Sequence, residues 1–93
     1  MLILVTGASK GIGFELVKKL SGDPGNLVVA VSRNIKTLRE LVDKNNTTSL
    51  LPFKADITKA GDLQKILKLI QSLKLPLDII VNNAGLIVNK PFL

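Results

Sequence analysis

A chain of 93 residues, 46% of them hydrophobic, reads as one small globular domain and not as a disordered segment. It has no cysteine and no histidine, which excludes disulfides, thiolate nucleophiles and imidazole acid–base or metal chemistry, and no metal site is expected. Its 13 basic and 7 acidic residues give a net charge of +6, but Lys18, Lys19, Lys36, Lys44, Lys65 and Lys68 fall on polar faces of expected helices, so a solvated surface is read ahead of nucleic acid or membrane binding.

The chain starts with an apolar, β-prone run at residues 2–5, the pattern of a strand covered on both faces. This run is short, has no basic leader and meets a glycine turn at once, so it does not read as a secretory signal. No apolar run is long enough to span a bilayer, and with cysteine absent a cytoplasmic location is the expectation. Next comes Thr6-Gly7-Ala8-Ser9-Lys10-Gly11-Ile12-Gly13, leading into a helix expected over residues 11–20. Its apolar face carries Ile12, Leu16, Val17 and Leu20, and Ser21-Gly22-Asp23-Pro24-Gly25 stops it.

A second strand is expected at residues 27–31, ending in Ser32-Arg33-Asn34, and a weaker helix follows with Ile35, Leu38, Leu41 and Val42. Residues 44–48 form a polar loop. The third strand, residues 50–54, contains Pro52, which suggests an edge position or an irregular ladder. Ala55-Asp56-Ile57-Thr58 makes the next turn, with Thr58 a candidate helix cap. Leu63, Ile66, Leu67, Ile70 and Leu73 mark the most regular amphipathic helix, closed by Leu75-Pro76. The fourth strand, residues 77–81, runs into Asn82-Asn83-Ala84-Gly85, and residues 86–93 form a tail without clear period.

The order β-α-β-α-β-α-β, with crossovers long enough for parallel strands, predicts an α/β fold. Right-handed crossovers about a central first strand give a four-stranded sheet of order 3-2-1-4 with helices on both faces. That is one half of a doubly wound, Rossmann-like fold, so residues 1–93 are expected to form a partial dinucleotide-binding domain. Its switch point lies between strands one and four, at their carboxyl ends, where the glycine loop and the Asn82 loop meet.

A buried strand, a glycine turn and a helix N-terminus together make an anion site, because first-turn N–H groups lack partners and the helix dipole favours negative charge. Gly7, Gly11 and Gly13 would supply the sharp turn, the close approach of a phosphate and a tight helix–strand contact; for Gly13, close packing alone is an equally good reason. The end of the second strand carries no carboxylate to hold a ribose 2′-hydroxyl. It carries Arg33, about twenty positions after Gly13, and a guanidinium can pair a 2′-phosphate bidentately. Lys10 offers a second positive charge from the glycine loop.

The spacing Thr6-Gly7-x-x-x-Gly11-x-Gly13 resembles the glycine fingerprint of the short-chain dehydrogenase/reductase family. Asp56 looks like that family's acidic residue beside the adenine ring, with turn chemistry as its alternative role, and Asn82-Asn83-Ala84-Gly85 matches its NNAG segment. The resemblance covers essentially the whole chain. It implies a dinucleotide site formed by Gly7, Ser9, Lys10, Gly11, Ile12, Gly13, Ser32, Arg33, Asn34, Asp56, Ile57, Asn83, Ala84 and Gly85, although for Asn83 a structural role is favoured. The pair Lys10 and Arg33 resembles NADP-preferring members, so NADP is expected ahead of NAD.

The family's catalytic Ser and Tyr-x-x-x-Lys lie beyond NNAG, and this chain has no tyrosine. No catalytic residue is therefore expected within it, and the isolated chain is expected not to transfer hydride. Two functions follow: the amino-terminal part of an NADP(H)-dependent oxidoreductase acting on alcohol or carbonyl groups, or a stand-alone nucleotide-binding or regulatory module. Three phenylalanines are too few aromatic platforms to favour nucleic acid. An unpaired fourth-strand edge, or an exposed helix face beside it, predicts self-association.

Overall fold

The computed structural model describes residues 1–83. It arranges them as β1 (Leu2–Thr6), α1 (Gly11–Ser21), β2 (Leu27–Ser32), α2 (Lys36–Asn45), β3 (Leu50–Lys54), α3 (Ala60–Ser72) and β4 (Leu77–Asn82). All strands are parallel and the sheet order is β3-β2-β1-β4, as the crossover rule predicts.

Every residue of β1 is buried, as is every residue of β2 after Leu27, because helices cover both faces. Alternate side chains go to opposite layers. Ile3, Val5, Val28 and Ala30 pack with Val17 of α1 and Leu38 of α2. Leu2, Leu4, Val29 and Val31 pack with Ile66 of α3 on the other face. Fully buried valines such as Val5, Val17 and Val28 each contribute roughly 1.5–3 kcal/mol of transfer free energy. Pro52 sits opposite Ala30 on β3, an edge strand among the described residues, the position in a sheet where proline is ordinarily found.

The β1–β4 ladder slips by one residue: Leu2 faces Leu77, but Ile3 faces Ile79. The extra residue is Asp78, whose Oδ2 accepts the Leu2 N–H at 2.8 Å and so satisfies a donor that the slip would strand. No helix among the described residues is long and apolar enough to cross a membrane.

Four local expectations are corrected. Ile12 is not on the packed face of α1; it is 80% exposed, and the buried stripe runs Gly13, Val17, Ser21 with Phe14 and Leu20 at its flanks. The rotation is set by Gly13, which must lie against the end of β1. In α3, Leu67 is 61% exposed and Leu63 is also exposed, while Leu69 joins Ile66, Ile70 and Leu73 against the sheet. That helix ends at Ser72, short of Leu75-Pro76, with Lys74 in a left-handed conformation at φ 53°. Thr58 does not cap α3: the N-cap is Lys59, which makes no side-chain cap, and the Thr58 hydroxyl bonds to Asp56 instead.

Candidate functional site

Above the carboxyl ends of the strands, the β1–α1 loop makes its turn through Gly7 at φ 62° and Gly11 at φ 55°. Any other residue there would sit in the left-handed region at about 1–2 kcal/mol. Ala8, fully buried, donates its N–H to the Val31 carbonyl at 3.2 Å and so pins the loop to the end of β2. Lys10 is the N-cap of α1 without a side-chain cap, and the first turn carries no acidic residue. The positive end of α1 therefore has first-turn amides that no side chain among the described residues caps.

Gly13 makes the close contact that the spacing implies. A Cβ there would stand 2.5 Å from the Gly7 carbonyl oxygen and 2.5 Å from Asn83 Nδ2. The Thr6 hydroxyl donates to Asn82 Oδ1 at 2.8 Å and accepts the Asn83 N–H at 3.2 Å, which locks the end of β4 to the end of β1. The asparagines thus tie neighbouring strands together, one through its side chain and the other through its main chain.

At the end of β2, the Ser32 hydroxyl donates to Ser9 Oγ at 2.7 Å and accepts the Asn34 N–H at 3.4 Å. This joins the glycine loop to the β2–α2 turn. Lys10, Arg33 and Asn34 are exposed around this pair, and neither cation has an ion-pair partner among the described residues. After β3, the Ala55 N–H donates to the Ser32 carbonyl at 3.0 Å. Asp56 Oδ1 then accepts the Thr58 O–H at 2.6 Å and its N–H at 2.9 Å, an Asx-type turn. The Thr58 hydroxyl, followed by its amide, holds the Asp56 carboxyl below the ordinary carboxylate range; burial opposes this, and Lys59 and then Arg33 add smaller attractions. Asp56 is therefore an anionic acceptor at neutral pH.

These three loops enclose a cleft of about 390 Å³. Of the expected residues, Gly7, Ser9, Lys10, Ser32, Arg33, Asn34, Asp56, Ile57 and Asn83 line it. Gly11 and Gly13 shape it from behind through the backbone, and Ile12 stands outside the lining. Ala84 and Gly85 lie outside the described residues. The sequence reading missed Val31 and Ala55, which also line the cleft, and gave Thr58 the wrong role. It also missed Thr6 and Asp62; the spacing of Thr58 two residues after an aspartate is a turn signal that was available.

The family model described as short chain dehydrogenase matches residues 1–93. The NADPH-dependent 1-acyldihydroxyacetone phosphate reductase of Saccharomyces cerevisiae is 36% identical over 87 residues, spanning 90% of this chain and 29% of that protein. The (-)-isopiperitenone reductase of Mentha piperita is 40% identical over 88 residues, spanning 88% of this chain and 28% of that protein. A metagenomic short-chain oxidoreductase, solved in complex with NADP, superposes with a TM-score of 0.79 at 26% identity, covering 92% of this chain and 39% of that one. The chain spans about a third of the length of the curated relatives it matches.

Proposed function

The chain belongs to the short-chain dehydrogenase family, and on that premise we propose that it is the NADP(H)-binding portion of an oxidoreductase acting on alcohol or carbonyl groups. One observation carries the choice of cofactor: two cations without an ion-pair partner among the described residues, Lys10 and Arg33, line one cleft from two different loops, and no carboxylate stands at the end of β2. A 2′-phosphate finds a bidentate guanidinium and a second positive charge there, whereas a free 2′-hydroxyl finds no acidic acceptor. The relative named as NADPH-dependent and the neighbour solved with NADP support the same reading.

The residues present fit the rest of the cofactor. Gly13 keeps the helix close, Gly7 and Gly11 keep side chains off the loop, and the uncapped start of α1 presents donors to a pyrophosphate. Ser9 and Ser32 offer hydroxyls beside the ribose, and Asp56 offers an acceptor to the adenine amine. A bound nicotinamide dinucleotide supplies or takes the hydride; the part of these residues is to hold it. With no tyrosine in the chain, the proton transfer that the resemblance gives to a Tyr-x-x-x-Lys pair is not supplied by residues 1–93, and the chain alone binds without turnover.

Titration calorimetry with NADP⁺ and NAD⁺ tests this. NADP⁺ is expected to bind about tenfold or more tightly, and Arg33→Asp to remove or invert the preference. Equal affinities in the parent chain would overturn the assignment. The reading extends to β4, which among the described residues pairs with β1 alone and leaves Ile79 exposed. In the isolated chain a second copy takes up that edge or the neighbouring exposed face of α3; a monomer at high concentration in sedimentation equilibrium would count against it.

A further inference from the structure

Asp56 is bonded at almost every polar atom. Its N–H donates to Asp62 Oδ2 at 2.7 Å and its carbonyl accepts the Lys59 N–H at 3.0 Å. Oδ1 takes both donors of Thr58. Oδ2 is thus the one polar atom of Asp56 without a hydrogen-bond partner among the described residues, and Asp56 lines the cleft.

Only one of these bonds reaches beyond the turn itself. Residues 56–59 close on one another, and a closed turn can still swing as a unit. Asp62 belongs to the first turn of α3, a helix anchored in the core by Ile66. An acid at the third helical position ordinarily reaches back to its own N-cap amide. Here it passes over Lys59, whose side chain makes no cap, and takes the amide of the cleft residue. The bond is at the short end of the N–H···O range. With the Ala55 N–H held on the Ser32 carbonyl, Asp56 is fixed from β2 on one side and from α3 on the other.

We propose that Asp62, which does not itself line the cleft, is the positioning residue of its adenine end: it holds Asp56 so that Oδ2 meets the exocyclic amine of the ring. This inference rests on the NADP(H) reading. The test is calorimetry of the full chain with NADP⁺ and with its hypoxanthine analogue, which carries an oxygen in place of the amine. The parent is expected to favour NADP⁺ by about tenfold, the ratio corresponding to one charge-assisted hydrogen bond. Asp62→Ala is expected to bring that ratio close to one by weakening NADP⁺ alone. Asp62→Asn, which keeps an oxygen acceptor, is expected to restore it.

A ratio in Asp62→Ala equal to the parent's overturns the inference and leaves the cofactor reading standing. A parent that binds neither dinucleotide overturns both. Amide exchange gives a second readout without any ligand: the Asp56 N–H is expected to be protected in the parent and in Asp62→Asn, and to exchange freely in Asp62→Ala. An Asp56 amide that exchanges freely in the parent, where no variant has to fold, also overturns it.

Discussion

Adding one methyl group at Gly13 tests how the glycine loop is held. In Gly13→Ala the new Cβ would lie 2.5 Å from the Gly7 carbonyl oxygen and 2.5 Å from Asn83 Nδ2, against an ordinary contact of about 3.5 Å. The Asn83 amide can swing aside, but Gly7 is backbone in a left-handed turn, so α1 must retreat from the end of β1 by about 1 Å. Overpacking of this kind costs about 1–3 kcal/mol, with the upper part of the range apt for a backbone neighbour. Alanine returns about 1 kcal/mol of helix propensity, so the net loss is about 1–2 kcal/mol. In a domain this small that lowers the melting temperature by roughly 5–15 °C. The control is Gly61→Ala in α3, where a Cβ meets nothing within 4 Å and a gain of about 0.5 kcal/mol is expected. Thermal and urea unfolding followed by circular dichroism measures both, and calorimetry with NADP⁺ should show weaker binding for Gly13→Ala only. If the two variants shift stability in the same direction, the close contact at Gly13 is refuted.

Lys74, at φ 53° after α3, is a non-glycine residue in the left-handed region, so Lys74→Gly is expected to stabilise by about 1 kcal/mol in urea unfolding; a loss would show that its side chain matters more than its backbone. Thr6→Val removes the hydroxyl that accepts the Asn83 N–H and donates to Asn82, and about 1–3 kcal/mol should be lost, with no change if the β1–β4 lock is dispensable. Because the native pKa of Asp56 is lower than its unfolded one, its contribution to stability is complete above the unfolded value of about 4 and is lost as pH falls through the native value. Thr58→Ala, which removes the largest cause of the lowering, should move the Asp56 carboxyl midpoint in an NMR titration upward, and an unmoved midpoint would contradict that cause.

Apolar runs mark which segments are strands covered on both faces, because that depends on local composition, and the crossover rule then orders them as β3-β2-β1-β4. A run such as Leu27-Val28-Val29-Ala30-Val31 has no polar face to turn outward, so it must be covered on both sides. Pro52 lacks a donor, and an edge strand tolerates that. The rotation of α1 was less legible. The apolar set Ile12, Leu16, Val17 and Leu20 spans a wide face, and period 3.6 alone does not say that its Val17 side meets the sheet while Ile12 turns away. What decides is a backbone contact: the helix can approach the end of β1 only along the side that lacks a Cβ. The glycine that marks the cleft therefore also turns Ile12 out to solvent.

The remaining misses have one physical form. Asp78 reads as a strand residue, yet its carboxylate stands in for a ladder partner at a one-residue slip between strands that are distant in sequence. Thr58 reads as a cap, yet the aspartate two residues earlier is the nearer acceptor. Asp62 carries no role in the sequence reading, yet from the first turn of α3 its carboxylate takes the amide of Asp56. In each case a polar side chain had several partners of similar strength within reach of its local sequence. For Asp78 and Asp62 the partner taken is a main-chain N–H that packing brings within reach, and leaving such a donor unpaired costs about 1–3 kcal/mol; Thr58 instead takes the acceptor two residues earlier in its own turn. Periodicity carries no record of those donors. They become countable only once β1 lies against β4 and α3 has been packed on the sheet, which is why the cleft's lining was legible in the sequence and its bracing was not.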